Sequence, residues 1–151
     1  MSINKTYAVF GLGKYGRAVA KELVNNGIDV IAVDKHEEIV NDAALDIPLC
    51  KCADVTDPEV LNQLDIGSVD VVVICMAENL EATVMAITLC KEAGVPTVIA
   101  KCSEEVHQRI FSKVGADRVV FPETESGARL AKNLLSNGFI DIMGYQRTFL
   151  W

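Results

Sequence analysis

Apolar runs of strand length alternate with amphipathic stretches of helix length about six times along this chain, without a proline-rich or glycine/serine-rich linker between them. That alternation points to a parallel sheet whose strands are joined by helices. Strands are predicted at Tyr7 to Phe10, Asp29 to Val33, Leu49 to Cys52, Val69 to Cys75, Thr97 to Ala100 and Val119 to Phe121. Several are apolar throughout, as strands covered by helices on both faces are. Helices fit Lys14 to Asn26, Glu37 to Leu45, Pro58 to Leu64, Leu80 to Ala93, Glu104 to Val114 and Ser126 to Leu135, with Gly27, Gly94, Gly115 and Gly138 as stops. Right-handed crossovers then give a Rossmann-type doubly wound α/β sheet of order 3-2-1-4-5-6. Its ligand crevice lies at the carboxyl ends of the first and fourth strands.

The 151 residues suffice for a single domain of this kind, placed at 1–136, followed by a largely apolar tail at 137–151. The tail needs a partner: its own domain, a neighbouring subunit or a further domain. Fourteen basic against 21 acidic side chains give a net charge of −7, a surface that repels DNA and RNA. The first residues, MSINKTY, lack the apolar stretch of a secretion signal, and no segment offers the roughly 18 consecutive apolar residues of a membrane span. A cytosolic protein is expected. Cys50, Cys52, Cys75, Cys90 and Cys102 fall in apolar runs, as small core residues of a reducing compartment do. Cys50 and Cys52 share a face of one strand, but no second pair completes a zinc site.

Gly11-Leu12-Gly13-Lys14-Tyr15-Gly16 follows the first strand and opens the first helix. The first glycine permits a tight turn, the second lets backbone amides approach a pyrophosphate, and the third lets helix and strand pack closely. Asp34 ends the next strand roughly 20 residues on, where a carboxylate accepts hydrogen bonds from a ribose diol. It also repels a 2'-phosphate, which disfavours NADP against NAD, ADP or ATP, and Lys35 beside it softens that only slightly. Ala53-Asp54-Val55-Thr56 and Cys75-Met76-Ala77 close the third and fourth strands and border the adenosine half of the crevice. Asp54 suits the adenine amino group or, alternatively, the cap of the helix near Pro58, a task that Thr56 or Asp57 can also perform. Lys14 in the turn answers phosphate charge or, equally, is a solvated surface group.

A nucleotide site does not make an enzyme. His36 and His107 are the only histidines, and neither sits in a motif that supplies a nucleophile or an orienting carboxylate. His36 falls near the ribose edge and His107 on the solvated part of a helix. These features describe a sensor that binds a nucleotide and changes shape, with no catalytic residue. A small NAD(H)-dependent oxidoreductase or redox-sensing domain working with a partner is the alternative.

From Tyr7 to about Ile142 the chain resembles the nucleotide-binding domain of RCK (KTN, TrkA-N) proteins, in particular the cytosolic regulatory subunits of Trk/Ktr potassium uptake systems. The resemblance rests on residues 9–16, on Val30-Ile31-Ala32-Val33-Asp34, on Ala53-Asp54-Val55-Thr56-Asp57, and most specifically on Gly115-Ala116-Asp117-Arg118-Val119-Val120-Phe121-Pro122-Glu123. Asn79, Lys101 and His107 fall where Ktr-like members carry the same types. The resemblance implies a non-catalytic subunit that dimerises through its nucleotide domains, builds a larger and commonly octameric ring, and presses on an integral-membrane potassium-translocating protein. ATP or ADP, or else NAD(H), occupies the crevice. It also implies that Lys14 stands where relatives often carry an arginine for the terminal phosphate, and that Glu123 faces a dimer mate's nucleotide, with a divalent cation when that is ATP. Glu123 serves equally as a charge on a helix N-terminus. Family members continue into a smaller ligand-binding subdomain, to which 137–151 is the expected connection.

Overall fold

Six strands form one parallel sheet in the computed structural model, which describes residues 5–76 and 78–142 and the side chains up to residue 136. In chain order the elements are β1 (Tyr7–Phe10), α1 (Lys14–Asn25), β2 (Val30–Asp34), α2 (Glu37–Ala43), β3 (Cys50–Cys52), α3 (Pro58–Gln63), β4 (Val71–Ile74), α4 (Leu80–Glu92), β5 (Thr97–Lys101), α5 (Glu105–Lys113), β6 (Arg118–Val120) and α6 (Pro122–Ile142), with a 3-10 turn at Ile66–Ser68. The strand order is β3-β2-β1-β4-β5-β6, the doubly wound order expected from right-handed crossovers. Helices cover both faces of the sheet, so Ala8, Val9 and Phe10 of β1 and Val72 and Ile74 of β4 are fully buried.

Phe10 stands opposite both Val33 and Ile74, which brings the carboxyl ends of β1, β2 and β4 level at one edge. The sheet's winding reverses between β1 and β4. Loops leaving those two strands diverge and leave a crevice between them.

Several boundaries differ from the sequence expectation, each for a local reason. β4 begins at Val71 because Val69 closes the 3-10 turn on Ile66 and the N–H groups of Asp70 and Val71 both donate to the Thr6 carbonyl. The Asp70 carboxylate in turn accepts the Thr6 N–H at 2.8 Å. α6 starts four residues before the expected Ser126. Pro122, its first residue, has no N–H to leave unsatisfied, while Glu125 donates its N–H to the Phe121 carbonyl and accepts the Phe121 N–H on its carboxylate. The helix then passes through Gly138, where a stop was expected: glycine costs about 1 kcal/mol within a helix but does not by itself end one.

The chain divides into two compact units, 1–120 and 121–151. The sheet lies in the first and α6 in the second, so the backbone of 137–142, the beginning of the expected tail, is helical. Residues 143–151 lie outside the described residues. No described helix is long and apolar enough to cross a membrane. Of the cysteines expected in the core, Cys90 and Cys102 are buried, Cys50 and Cys75 half-buried, and Cys52 is exposed because β3 is an edge strand.

Candidate functional site

The turn after β1 is built by close approaches that only glycine permits. Gly11 adopts φ +92°, and a Cβ there would lie 2.5 Å from the Cys75 carbonyl oxygen at the end of β4. A Cβ on Gly16 would fall 1.9 Å from the Gly11 carbonyl oxygen, so α1 lies against the turn at backbone distance. Gly13 has no such neighbour: its Cβ position meets nothing within 4 Å, leaving space for a ligand beside the N-terminus of α1.

That N-terminus differs from those of the other described helices. No side chain caps α1 and no acidic residue stands in its first turn. By contrast, α2, α3, α4, α5 and α6 each carry at least one acidic residue there. Lys14, the first residue of α1, adds positive charge where the helix dipole already is positive. This end therefore favours an anion.

Asp34 closes β2 with its carboxylate 9% exposed. Its Oδ2 accepts the Leu12 N–H at 2.8 Å, and its Oδ1 accepts the His36 N–H at 2.9 Å and faces His36 Nδ1 at 2.8 Å. Burial pushes this carboxyl's pKa up, but the bonds from Leu12 and His36 outweigh it and hold it below the ordinary value. At the end of β3, Asp54 Oδ1 accepts the Thr56 hydroxyl at 2.6 Å and its N–H at 2.9 Å, and these bonds keep it ionised below the usual range. The cap of α3 is Asp57, which accepts the Glu59 N–H, so Asp54 does not perform that task.

These loops enclose a cavity of about 820 Å³ at the β1/β4 crevice, a size suited to a small organic ligand. Gly11, Gly13, Lys14, Tyr15, Gly16, Asp34, Lys35, Asp54, Val55, Cys75, Met76, Asn79 and Lys101 all line it. Leu12 is buried and contributes its N–H to Asp34. Ala77 lies outside the described residues, and Glu123 stands in the first turn of α6, in the second unit, and is not among the lining residues. His107 does not line the cavity either; it is half-buried with its ring centroid 6.2 Å from that of Phe111.

Lys101 Nζ lies 5.7 Å from the centre of the Tyr15 ring, both residues lining the cavity. The Cys75 thiol is pushed up to about 12 by burial, against the pull of Lys101, and so is a neutral wall. Asn79 uses Oδ1 to cap α4 through the Ala82 N–H at 2.9 Å. The fully buried Thr83 hydroxyl is shared between the carbonyls of Met76, at 2.8 Å, and Asn79, at 2.9 Å.

Sequence reasoning did not single out Ile39, Glu78, Glu81, Ala82 and Met85, which also line the cavity. A signal was present for three of them: residues 81, 82 and 85 repeat at helical spacing just past the fourth strand, so they share the face of α4 nearest the crevice, while Glu78 lies in the turn before it.

Residues 7–122 match the model of the TrkA-N domain family. The Ktr system potassium uptake protein C of Bacillus subtilis (strain 168) is 35% identical over 141 residues, which is 93% of this chain and 64% of that protein, so the chain spans somewhat under two thirds of its relative. Among solved structures, the NAD(P)-binding domain of an exopolyphosphatase-related protein from Archaeoglobus fulgidus aligns with a TM-score of 0.74 and 23% identity, covering 86% of this chain and 97% of that one. The GsuK channel bound to NAD aligns with a TM-score of 0.70 and 16% identity over 78% of this chain and 21% of that one, and GsuK bound to ADP with 0.65 and 18% over 78% and 31%. The family match opens at the first residue of β1 and closes at the first of α6, and with the whole sheet and every lining residue of the cavity inside it, the chain belongs to the TrkA-N domain family.

Proposed function

We propose that the cavity at the β1/β4 crevice binds an adenine nucleotide, ATP or ADP in the first place, and that the chain is the nucleotide-responsive, non-catalytic part of a potassium uptake system. The uncapped, acid-free N-terminus of α1, opening onto free space at Gly13, carries this reading. Phosphates take the amides of that end and the Lys14 ammonium, the ribose takes Asp34, and the adenine lies toward Asp54 and Val55. The bound NAD and ADP of GsuK support an adenosine-bearing ligand. The similarity to a Ktr potassium uptake protein supports the transport role.

In this reading the chain works at the cytoplasmic face, as a homodimer within a larger ring that acts on an integral-membrane potassium-translocating subunit. A ligand shifts the ring only by as much as its affinities for the two arrangements differ. For ATP against ADP that difference arises at Lys14, with Glu123 of a neighbouring copy holding a divalent cation on the extra phosphate. His36, the one histidine lining the cavity among the described residues, does have a carboxylate beside it, Asp34 at 2.8 Å from Nδ1, contrary to the sequence expectation; this reading assigns the pair to the ribose position rather than to acid–base chemistry.

Thermal unfolding against ATP, ADP, NAD, NADH and NADPH, with and without magnesium, tests the reading. A ligand at about 100 times its Kd adds about 2.7 kcal/mol of stability. ATP and ADP are expected to raise the Tm above any rise with NADH. A response confined to NAD(H) would move the reading to a redox-sensing domain, and no response to any of the five would overturn nucleotide binding. Lys14→Ala is expected to weaken ATP more than ADP; equal losses would remove Lys14 from phosphate discrimination.

A further inference from the structure

The Asp34 carboxylate is nearly saturated by the protein itself. An ionised carboxylate offers about four acceptor positions on its two oxygens. Oδ1 receives the His36 N–H at 2.9 Å and the His36 imidazole at 2.8 Å, and Oδ2 receives the Leu12 N–H at 2.8 Å. A carboxylate only accepts, so the imidazole carries its proton on Nδ1. One position is left, on Oδ2, whereas a ribose diol brings two neighbouring O–H donors.

The three resident donors are not equally fixed. The Leu12 N–H belongs to the glycine turn and the His36 N–H to the chain leaving β2, so neither leaves without moving the backbone. The imidazole is different: it is 61% exposed over a carboxylate that is 9% exposed, and it lines the same cavity. Rotation of one side chain releases an acceptor.

We propose that the His36 imidazole is a displaceable occupant of the ribose position, holding Asp34 Oδ1 in the empty site and leaving it when both hydroxyls of a ribose bind. This rests on the nucleotide reading above. A 2'-deoxyribose, with one hydroxyl at the sugar edge, uses the vacant Oδ2 position and leaves the ring in place. His36 thus lowers the advantage of ribose over deoxyribose, because the second hydroxyl replaces a bond the protein already makes.

Isothermal titration of ADP and 2'-deoxy-ADP into the protein and its His36→Ala variant tests this. The variant is expected to bind ADP about 3- to 10-fold more tightly and 2'-deoxy-ADP with the affinity unchanged. An equal change for both nucleotides, or weaker ADP binding, would overturn the proposal while leaving nucleotide binding intact. The 15N resonance of His36 Nδ1 gives a second reading in the unaltered protein: ADP is expected to shift it, and 2'-deoxy-ADP to leave it in place. A resonance indifferent to ADP also overturns the proposal. If the unaltered protein binds none of ADP, ATP and NAD, the nucleotide reading falls and takes this one with it.

Discussion

The backbone N–H of Leu12 donates to the carboxylate of Asp34 at 2.8 Å, joining the turn after β1 to the end of β2 across 22 residues of sequence. The bond makes Asp34 a structural residue before any ligand arrives. Leu12 is 3% exposed, so its N–H has no ready substitute in water.

Asp34→Ala is therefore expected to cost about 1 to 3 kcal/mol at pH 7, the penalty of an unpaired buried donor. Because the folded carboxyl is held below the ordinary aspartate value of about 3.9, the stability it adds is present above that value and lost as pH falls through the lower, folded one. Urea unfolding of both proteins at pH 7 and pH 3 checks the sign. A penalty of the same size at both would mean that the bonds do not favour the ionised form.

Gly13 and Gly16 separate binding from folding. An alanine Cβ at 16 meets a backbone oxygen at 1.9 Å, which forces the turn apart and is expected to cost about 1 to 3 kcal/mol or more. At 13 the Cβ meets nothing, and the change is expected to stay within about 1 kcal/mol, the loss of a tolerable N-cap. Gly13→Ala should nonetheless weaken ADP, since the methyl group stands where phosphate approaches in the proposed binding mode. Melting curves with and without ADP distinguish the two, and an unaltered ADP shift in Gly13→Ala would place the phosphates elsewhere.

Asp117 holds the approach to β6 by two kinds of contact, and only one should matter much. Its Oδ2 accepts the Val98 N–H at 2.7 Å and pairs with Lys91 Nζ at 3.0 Å. The ion pair is 30% and 41% exposed, so Lys91→Met, which also gives up the Nζ bonds to the Val95 carbonyl at 3.0 Å and the Pro96 carbonyl at 3.2 Å, is expected to cost about 1 kcal/mol. Asp117→Ala strands the N–H of a fully buried residue and is expected to cost about 1 to 3 kcal/mol. Equal denaturant midpoints for the two variants would show that the Val98 bond adds nothing beyond the contacts of Lys91.

The cysteines should divide by reactivity. Burial pushes the Cys75 and Cys90 thiols up to about 12, which leaves about one part in ten thousand as thiolate at pH 8. Cys52 is exposed on the edge strand. Brief iodoacetamide treatment of the folded protein followed by peptide mass analysis is expected to label Cys52 first and to spare Cys75 and Cys90 until unfolding. Early labelling of Cys75 would mean that the cavity wall opens readily.

The sheet was legible because its signals are periodic and local: apolar strands, amphipathic helices, and α1, α4 and α5 ending two residues before Gly27, Gly94 and Gly115. Asp34, Asp54 and the glycine turn could be placed in the crevice from chain order alone, since strand ends in a doubly wound sheet have fixed neighbours. Contacts set by loop geometry were not legible. That Asp34 spends three acceptor positions on Leu12 and His36 depends on the path of two loops, and the start of α6 depends on a reciprocal pair between Phe121 and Glu125 that no hydrophobic period reveals. Asp57 over Asp54 as the cap of α3 was decided by the bond from Thr56, which engages Asp54 first.

The buried hydroxyl of Thr83 has a mechanical consequence. By taking the carbonyls of Met76 and Asn79, it fastens one wall of the cavity to the first turn of α4. That helix is 13 residues long, a rod of about 20 Å. Its other end carries Lys91, clasped to Asp117 just ahead of β6. Asn79 thus stands at the head of a stiff strut rather than on a yielding loop, and the strut's far end reaches the approach to the last strand of the sheet.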